Sequence, residues 1–239
     1  VAALGAALTV LVVLARAAEN WHYIVSGAPG TLLYTASFDA TQDDWETYSG
    51  RLDVSIDGGV LRVENGQSDS YAFSVADQHY ADLDLRARAV GAAGPLNNGY
   101  GVVFRYQNPQ NFYAFLVSSD GYYSVMRAVN DDQRWLSNWI DTPLVNQGIG
   151  VVNRLRVVAS GDEFRFWING EPALVCIPNN PDAESTYVMG TCVEGTMLDV
   201  LRESSLASGQ IGVVALTFGE PDVVAEFDDV VIYSPEASG

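Results

Sequence analysis

The sequence predicts an all-β protein, an antiparallel jelly-roll sandwich preceded by one apolar N-terminal helix. Three observations predict it. From Leu32 onward, short runs rich in β-branched and aromatic residues recur at close spacing. Turn formers such as Asp57-Gly58-Gly59 and Asn169-Gly170 separate them. After Gly30 no run keeps a helical period. Regular short strands punctuated by Gly, Asn and Asp are the pattern of a sandwich.

The chain opens on Val1–Ala15 (VAALGAALTVLVVLA), which carries no charge. As a helix it would span about 22 Å, short of the roughly 30 Å hydrocarbon core. Three readings stay open: a membrane anchor, a filament-core helix like that of a processed pilin, or the remnant of a secretion signal. Gly5 stands where type IV pilins usually carry a glutamate, and no basic residues precede the apolar run as a signal would require. Trp21 and Tyr23 follow and suit a membrane interface. The helix is assigned to residues 1–24, a Gly/Pro-rich linker to 25–31, the sandwich to 32–234 and a tail to 235–239.

The strands follow in order. Leu32–Phe38 is the first, and Leu52–Ile56 and Val60–Glu64 flank the Asp57-Gly58-Gly59 turn. Leu83–Val90 (LDLRARAV) alternates with period two, so one face is buried and one wet. Gly99–Tyr106 and Asn111–Val117 are apolar on both faces and are expected to be central strands with both faces covered. Gln107–Gln110 joins them as a hairpin, and Ser119-Asp120-Gly121 turns the chain into Tyr122–Val129. Trp135 and Trp139 lie in a stretch that reads as loop. Asn153–Ala159 and Glu163–Ile168 form a hairpin, and Asn169-Gly170 signals another. Gln210–Thr217 and Val223–Tyr233 close the domain.

A stretch of about 175–208 interrupts this rhythm and holds both cysteines, Cys176 and Cys192. Connections this long usually carry function or are disordered. In an extracytoplasmic domain the two cysteines are expected to form a disulfide, worth roughly 3 kcal/mol by loop entropy; two buried thiols are the alternative. Met197–Glu203 is read as a short helical turn, and the stapled excursion as a partner-binding surface.

Composition bounds the function. Thirty acidic residues against twelve basic ones give a formal charge of −18, which argues against nucleic acid, whose affinity comes from neutralising phosphates. All twelve basic residues are arginine.

The runs NGYGVVFRYQNPQNFYAFLVSSDGYYSVMR (98–127), NRLRVVASGDEFRFWINGE (153–171), GQIGVVA (209–215) and AEFDDVVI (225–232) together resemble the concanavalin A-like, laminin G-like jelly-roll domains of bacterial surface proteins. The resemblance spans about Leu32 to Tyr233. It implies the fold but leaves function open among lectins, glycan hydrolases and structural modules. It also implies a structural calcium near the paired first and last strands, where Asp39 and Asp228 are the candidate ligands, although no complete ligand loop is present.

No catalytic residues are assigned. Relatives that hydrolyse glycans place carboxylates as E-x-D-x-E or E-x-D-x-x-E on one strand, whereas Glu220, Asp222 and Glu226 are spaced one residue too far, with Pro221 between the first two. His79 reads as an ordinary loop residue. A carbohydrate site needs aromatic platforms beside hydrogen-bonding groups; Arg105, Tyr113, Tyr123, Arg127, Trp135, Trp139 and Trp167 are the candidates for glycan or partner contact, with a core role as the alternative for those on strands. The leading reading is a non-enzymatic, extracytoplasmic subunit of the cell envelope, tethered by its N-terminal helix. It would meet other protein subunits through that helix and the 175–208 insertion, without cofactor. The alternatives are a pilin-like filament subunit, a carbohydrate-binding module and, last, a glycoside hydrolase.

Overall fold

In the Leu83–Ala93 strand, Leu83, Leu85, Ala87 and Ala89 are buried in the core while Arg86, Arg88 and Val90 face outward. The same alternation, repeated strand after strand, builds two stacked antiparallel sheets. They are seen in a computed structural model that describes residues 23–40, 42–180 and 183–236. In chain order the strands are β1 (Leu32–Ala36), β2 (Leu52–Asp57), β3 (Val60–Asn65), β4 (Tyr71–Tyr80), β5 (Leu83–Ala93), β6 (Gly99–Asn108), β7 (Asn111–Ser118), β8 (Tyr122–Val129), β9 (Asp132–Asp141), β10 (Val152–Ser160), β11 (Glu163–Ile168), β12 (Glu171–Pro172), β13 (Val175–Pro178), β14 (Tyr187–Val188), β15 (Thr191–Cys192), β16 (Gly195–Leu198), β17 (Leu201–Arg202), β18 (Gly209–Leu216) and β19 (Val223–Tyr233).

One sheet runs β12-β11-β10-β5-β19-β3-β2, with β1 also on β19 and β17 on β11; the other runs β4-β18-β6-β7-β8-β9. β1 and β3 share one side of β19, β1 pairing Val230–Tyr233 and β3 pairing Val223–Phe227. Between the sheets lie Leu61, Leu85, Leu155, Val157, Phe164, Phe166 and Phe227 from one side and Tyr100, Val102, Phe104, Phe115 and Val213 from the other. Phe104 meets Phe164 edge-on at 5.1 Å, and Phe115 meets Phe166 at 4.9 Å. Each such ring, fully buried, contributes about 1.5–3 kcal/mol.

Several expectations need correction. Trp135 and Trp139 stand on a strand, β9, not in a loop; β9 alternates poorly and pairs with β8 through register shifts. His79 lies near the end of β4, paired to β18 through Gln210. Met197–Glu203 is extended, split between β16 and β17, because β16 pairs with β13 and β17 adds to the edge of β11. Among the described residues no helix is present, and none is long and apolar enough to cross a membrane. The apolar run Val1–Ala15 and Trp21 lie outside the described residues.

The segment read as a linker is tied to the sandwich. The Val25 N–H donates to His79 O at 2.8 Å, Gly30 N–H to Ser234 O at 3.0 Å, and the Ser234 hydroxyl to Gly27 O at 3.0 Å. Both ends of the sandwich therefore meet at one corner. The excursion after β12 is two hairpins, β13–β16 and β14–β15, bridged by a Cys176–Cys192 disulfide. It lies along β9: the Cys176 N–H donates to Ser137 Oγ at 3.2 Å, and the Ser185 N–H to Trp135 O at 3.1 Å. An otherwise open edge strand is thereby covered. The disulfide itself indicates an extracellular or otherwise oxidising setting.

Candidate functional site

β6 and β7 were expected to be covered on both faces, and the second cover is aromatic. The outer face of the six-stranded sheet carries Val75, Val103, Leu116, Met126 and Val214, overlaid by Phe73, Tyr106 and Phe112 with half-buried Tyr71, Trp135, Trp139 and Phe218 at the margin. The rings form two groups. Tyr71, Phe73, Tyr106 and Phe112 pack together at 5.0–6.3 Å. Trp135, Trp139 and Phe218 form the other, with Trp139 and Phe218 edge-to-face at 5.8 Å and 83°.

The second group opens into a cleft of about 290 Å³ lined by Asn97, Ser118, Asp120, Tyr122, Trp139 and Phe218. Its shape follows from Gly99. A Cβ there would sit 3.0 Å from Trp139 Cη2, so any side chain larger than glycine's would press the indole outward. Asn98 fixes Phe218, accepting its N–H at 2.9 Å and donating to Glu220 O at 3.0 Å. Asp120 accepts from the Ser118 hydroxyl through one oxygen, which orients the carboxylate at the rim. Exposed Asn97 adds an amide. Two rings beside a carboxylate and an amide can take a molecule with an apolar face and several hydroxyls. A larger depression between Phe38 and Gly59 offers less, since Phe38 and Trp45 are buried beneath it.

Of the residues singled out from sequence, Trp139 lines this cleft and Trp135 supports it. Arg105, Tyr113 and Tyr123 do not reach a surface site. Arg105 is 1% exposed. Its φ of +49° lies in a bulge of β6 that turns the side chain inward beside Phe104, and it donates to the carbonyls of Ala81, Leu206 and Gly161 at 2.7–3.0 Å. Burial pulls this guanidinium below its usual value, against the opposing pull of Tyr113, Asp82 and Asp162. Tyr113 stacks on Phe104 in the core, and its burial pushes the phenol up to about 12. Tyr123 is a core residue whose hydroxyl donates to Leu174 O.

Arg127 is a strut. It donates to Glu203 Oε2 and Ser205 Oγ, each at 3.0 Å, and so holds the loop before β18. Burial would raise the Glu203 carboxyl, but the Ser205 hydroxyl and N–H and the Arg127 guanidinium hold it below the usual glutamate value. Trp167 stands on the opposite face of the molecule, with the Arg156 guanidinium 4.5 Å over its ring. Tyr23 is exposed at the described N-terminus.

Burial raises the Asp228 carboxyl, with the charges of Asp229 and then Asp39 adding to it, while Asp228 accepts from Arg88 Nη1 at 3.0 Å and from the Asp229 N–H at 2.6 Å. A cation needing six to eight oxygens would compete with that arginine. Among the described residues no group of three or more His, Cys, Asp or Glu side chains is arranged to hold a metal.

Solved structures share the architecture at low identity. A carbohydrate-binding module, CBM66, from Bacillus subtilis superposes with a TM-score of 0.54 at 16% identity, covering 78% of this chain and 93% of that one. A Bacillus subtilis protein of unknown function with a galectin-like fold gives 0.56 at 15% identity, covering 87% and 97%. The fold is a galectin-like β-sandwich. A xylan β-1,4-xylosidase from Bacillus halodurans also matches, at 0.56 and 11% identity; 89% of this chain is covered but only 40% of the xylosidase, so the likeness is to one part of that enzyme. No family model matches the sequence, and no curated protein matches it.

Sequence reading missed Phe218, Asp120, Asn97 and Tyr122. A signal for the cleft was present in Gly99, whose missing side chain leaves room for Trp139.

Proposed function

We propose that this is a non-catalytic, extracytoplasmic glycan-binding domain, and that its binding site is the Trp139–Phe218 cleft. The observation that carries the reading is the pair of edge-to-face rings over Gly99 with Asp120 and Asn97 at the rim. A sugar offers the matching chemistry, an apolar C–H face for the rings and vicinal hydroxyls for carboxylate and amide. Likeness in fold to a carbohydrate-binding module supports the reading. A non-catalytic role is supported by carboxylate count: glycoside hydrolysis uses two flanking carboxylates, and the cleft is lined by one, Asp120. Glu226, from the near-match motif, is paired to Arg62 at 2.6 Å on the other sheet.

The apolar run Val1–Ala15 supports a location at a membrane or filament surface. A second reading, contact with another protein subunit, is favoured by the ordered β14–β15 hairpin, where Met189 is 98% exposed beside exposed Val188 and Val193.

The test is a glycan array followed by titration calorimetry on the full chain. Binding of neutral oligosaccharides, lost in Trp139→Ala and Phe218→Ala, is expected. Absence of any glycan ligand, or unchanged binding by Trp139→Ala, overturns the assignment.

A further inference from the structure

The outer face of the nine-stranded sheet carries an arrangement that folding alone does not favour. Arg86 of β5 is directly opposite Arg156 of β10, and on the next same-face rung Arg88 is directly opposite Arg154. Like charges in facing positions destabilise a sheet. Here four of the chain's twelve bases sit on two adjacent rungs of a protein with a net charge of −18.

The two rungs differ in how they are neutralised. On the first, Asp84, whose side chain is 4% exposed, receives both guanidiniums: Arg86 at 2.7 and 3.1 Å and Arg156 at 2.8 and 2.9 Å. One carboxylate held between two facing arginine forks is thus already built into this sheet. On the second rung Arg88 meets two carboxylates through Nη1 alone, Asp228 at 3.0 Å and Asp229 at 3.5 Å, while its buried Nε has no partner. Arg154, exposed, has no carboxylate partner among the described residues. The next same-face pair is Val90 and Val152, both half-buried and uncharged. A cleft of about 460 Å³ runs along these arginines, closed at one side by Trp167, bordered by the exposed Asp229 carboxylate that Arg88 holds, and left open at Gly170, which has no side chain to fill it.

We infer that the Arg88–Arg154 rung binds the carboxylate of a uronate-bearing glycan, the saccharide part of this inference resting on the glycan-binding reading above. The ligand carboxylate repeats one rung further along the contact that Asp84 makes with Arg86 and Arg156. Paired planar forks match a carboxylate bidentately. The apolar rung of Val90 and Val152 lies where the ring attached to that carboxylate would rest, which favours an organic acid over a bare inorganic anion. The overall negative charge repels long polyanions, so the site favours a short acidic glycan.

The experiment is calorimetric titration of the full chain with trigalacturonic acid and with its methyl ester, which removes the charge and keeps the sugar. The acid is expected to bind, and the ester to bind at least about tenfold more weakly, as does the acid to Arg154→Gln, each losing a charge-assisted contact. Arg154 makes no side-chain contact that folding needs, so Arg154→Gln is expected to keep the native melting temperature. Equal binding of acid and ester, no binding of the acid, or an unaffected Arg154→Gln overturns the inference; triglutamate binding as tightly as trigalacturonate overturns its saccharide part. Trp139→Ala separates the two sites: it is expected to abolish neutral-glycan binding and leave trigalacturonate binding intact. Loss of the acid's binding in Trp139→Ala instead would assign it to the other cleft and overturn this site alone.

Discussion

The guanidinium of Arg105 lies 5.0 Å from the centre of the Phe164 ring, inside the sandwich. This places a cation over an aromatic face while its N–H groups satisfy three carbonyls from three different loops. Arg105→Met would keep the stem and strand those carbonyls. It is expected to lower stability by about 2–4 kcal/mol, read as a fall in the urea midpoint, with Arg105→Lys only partly restoring it because an ammonium lacks the fork.

Acid should act through Asp84. Burial pushes its carboxyl up, but the hydrogen bonds from Arg86 and Arg156 outweigh burial and hold it below the usual aspartate value. A group whose folded value is depressed contributes stability above its unfolded value of about 4 and loses it as pH falls through the folded one. Melting temperatures measured from pH 7 to pH 2 should therefore show Asp84→Asn less stable than native at pH 7, with the gap closing below about pH 4. A constant gap across that range would contradict the ion-pair account.

Gly99 sets the room for Trp139 in the cleft proposed to bind glycan. Gly99→Val would drive side-chain carbons into the Trp139 ring. The expected outcome is a red shift in tryptophan emission and at least tenfold weaker glycan binding, about the loss of one good contact. The fold should survive, because the displaced ring lies at the surface margin of its cluster.

Breaking the Cys176–Cys192 bridge releases a loop of sequence separation 16. Loop entropy puts the loss at roughly 3 kcal/mol. A double Cys→Ser variant should melt lower and be cut first by protease within residues 183–194. Because this excursion holds Trp135 through the Ser185 N–H, glycan affinity should also drop. Unchanged affinity with a lowered melting temperature would confine the bridge to a stabilising role.

Strands with clean alternation or firm turns were legible in the sequence. Tyr122–Val129, Glu163–Ile168 and Val223–Tyr233 have the bounds the pattern predicts, and Asn169 and Gly170 both adopt the positive φ that their hairpin demands. What stayed hidden depends on contacts made across the chain. Parity from Phe104 and Tyr106 puts Arg105 on the outer face, but a bulge with positive φ reverses it. β9 looks like a loop because its second side is covered by the 175–208 excursion, which is distant in sequence. The cleft gathers residues from three connections and from β9, so only its tryptophan stood out. The arginine rungs were written in the sequence as R-A-R and R-L-R on two strands, and only their register reveals that they face each other.

The corner where Gly30 meets Ser234 has a mechanical consequence. β5 runs from Asp84, opposite Tyr233 and thus near that corner, to Ala93, opposite Val224 and near the Trp139 cleft. At about 3.3 Å per residue, roughly 30 Å of strand separates the two ends. Were the domain held at that corner, its cleft would lie at the far end of the sandwich. Tension between a captive glycan and the residue 23–30 segment would run lengthwise through β1 and β19, loading their shared hydrogen bonds together in shear instead of unzipping them one by one.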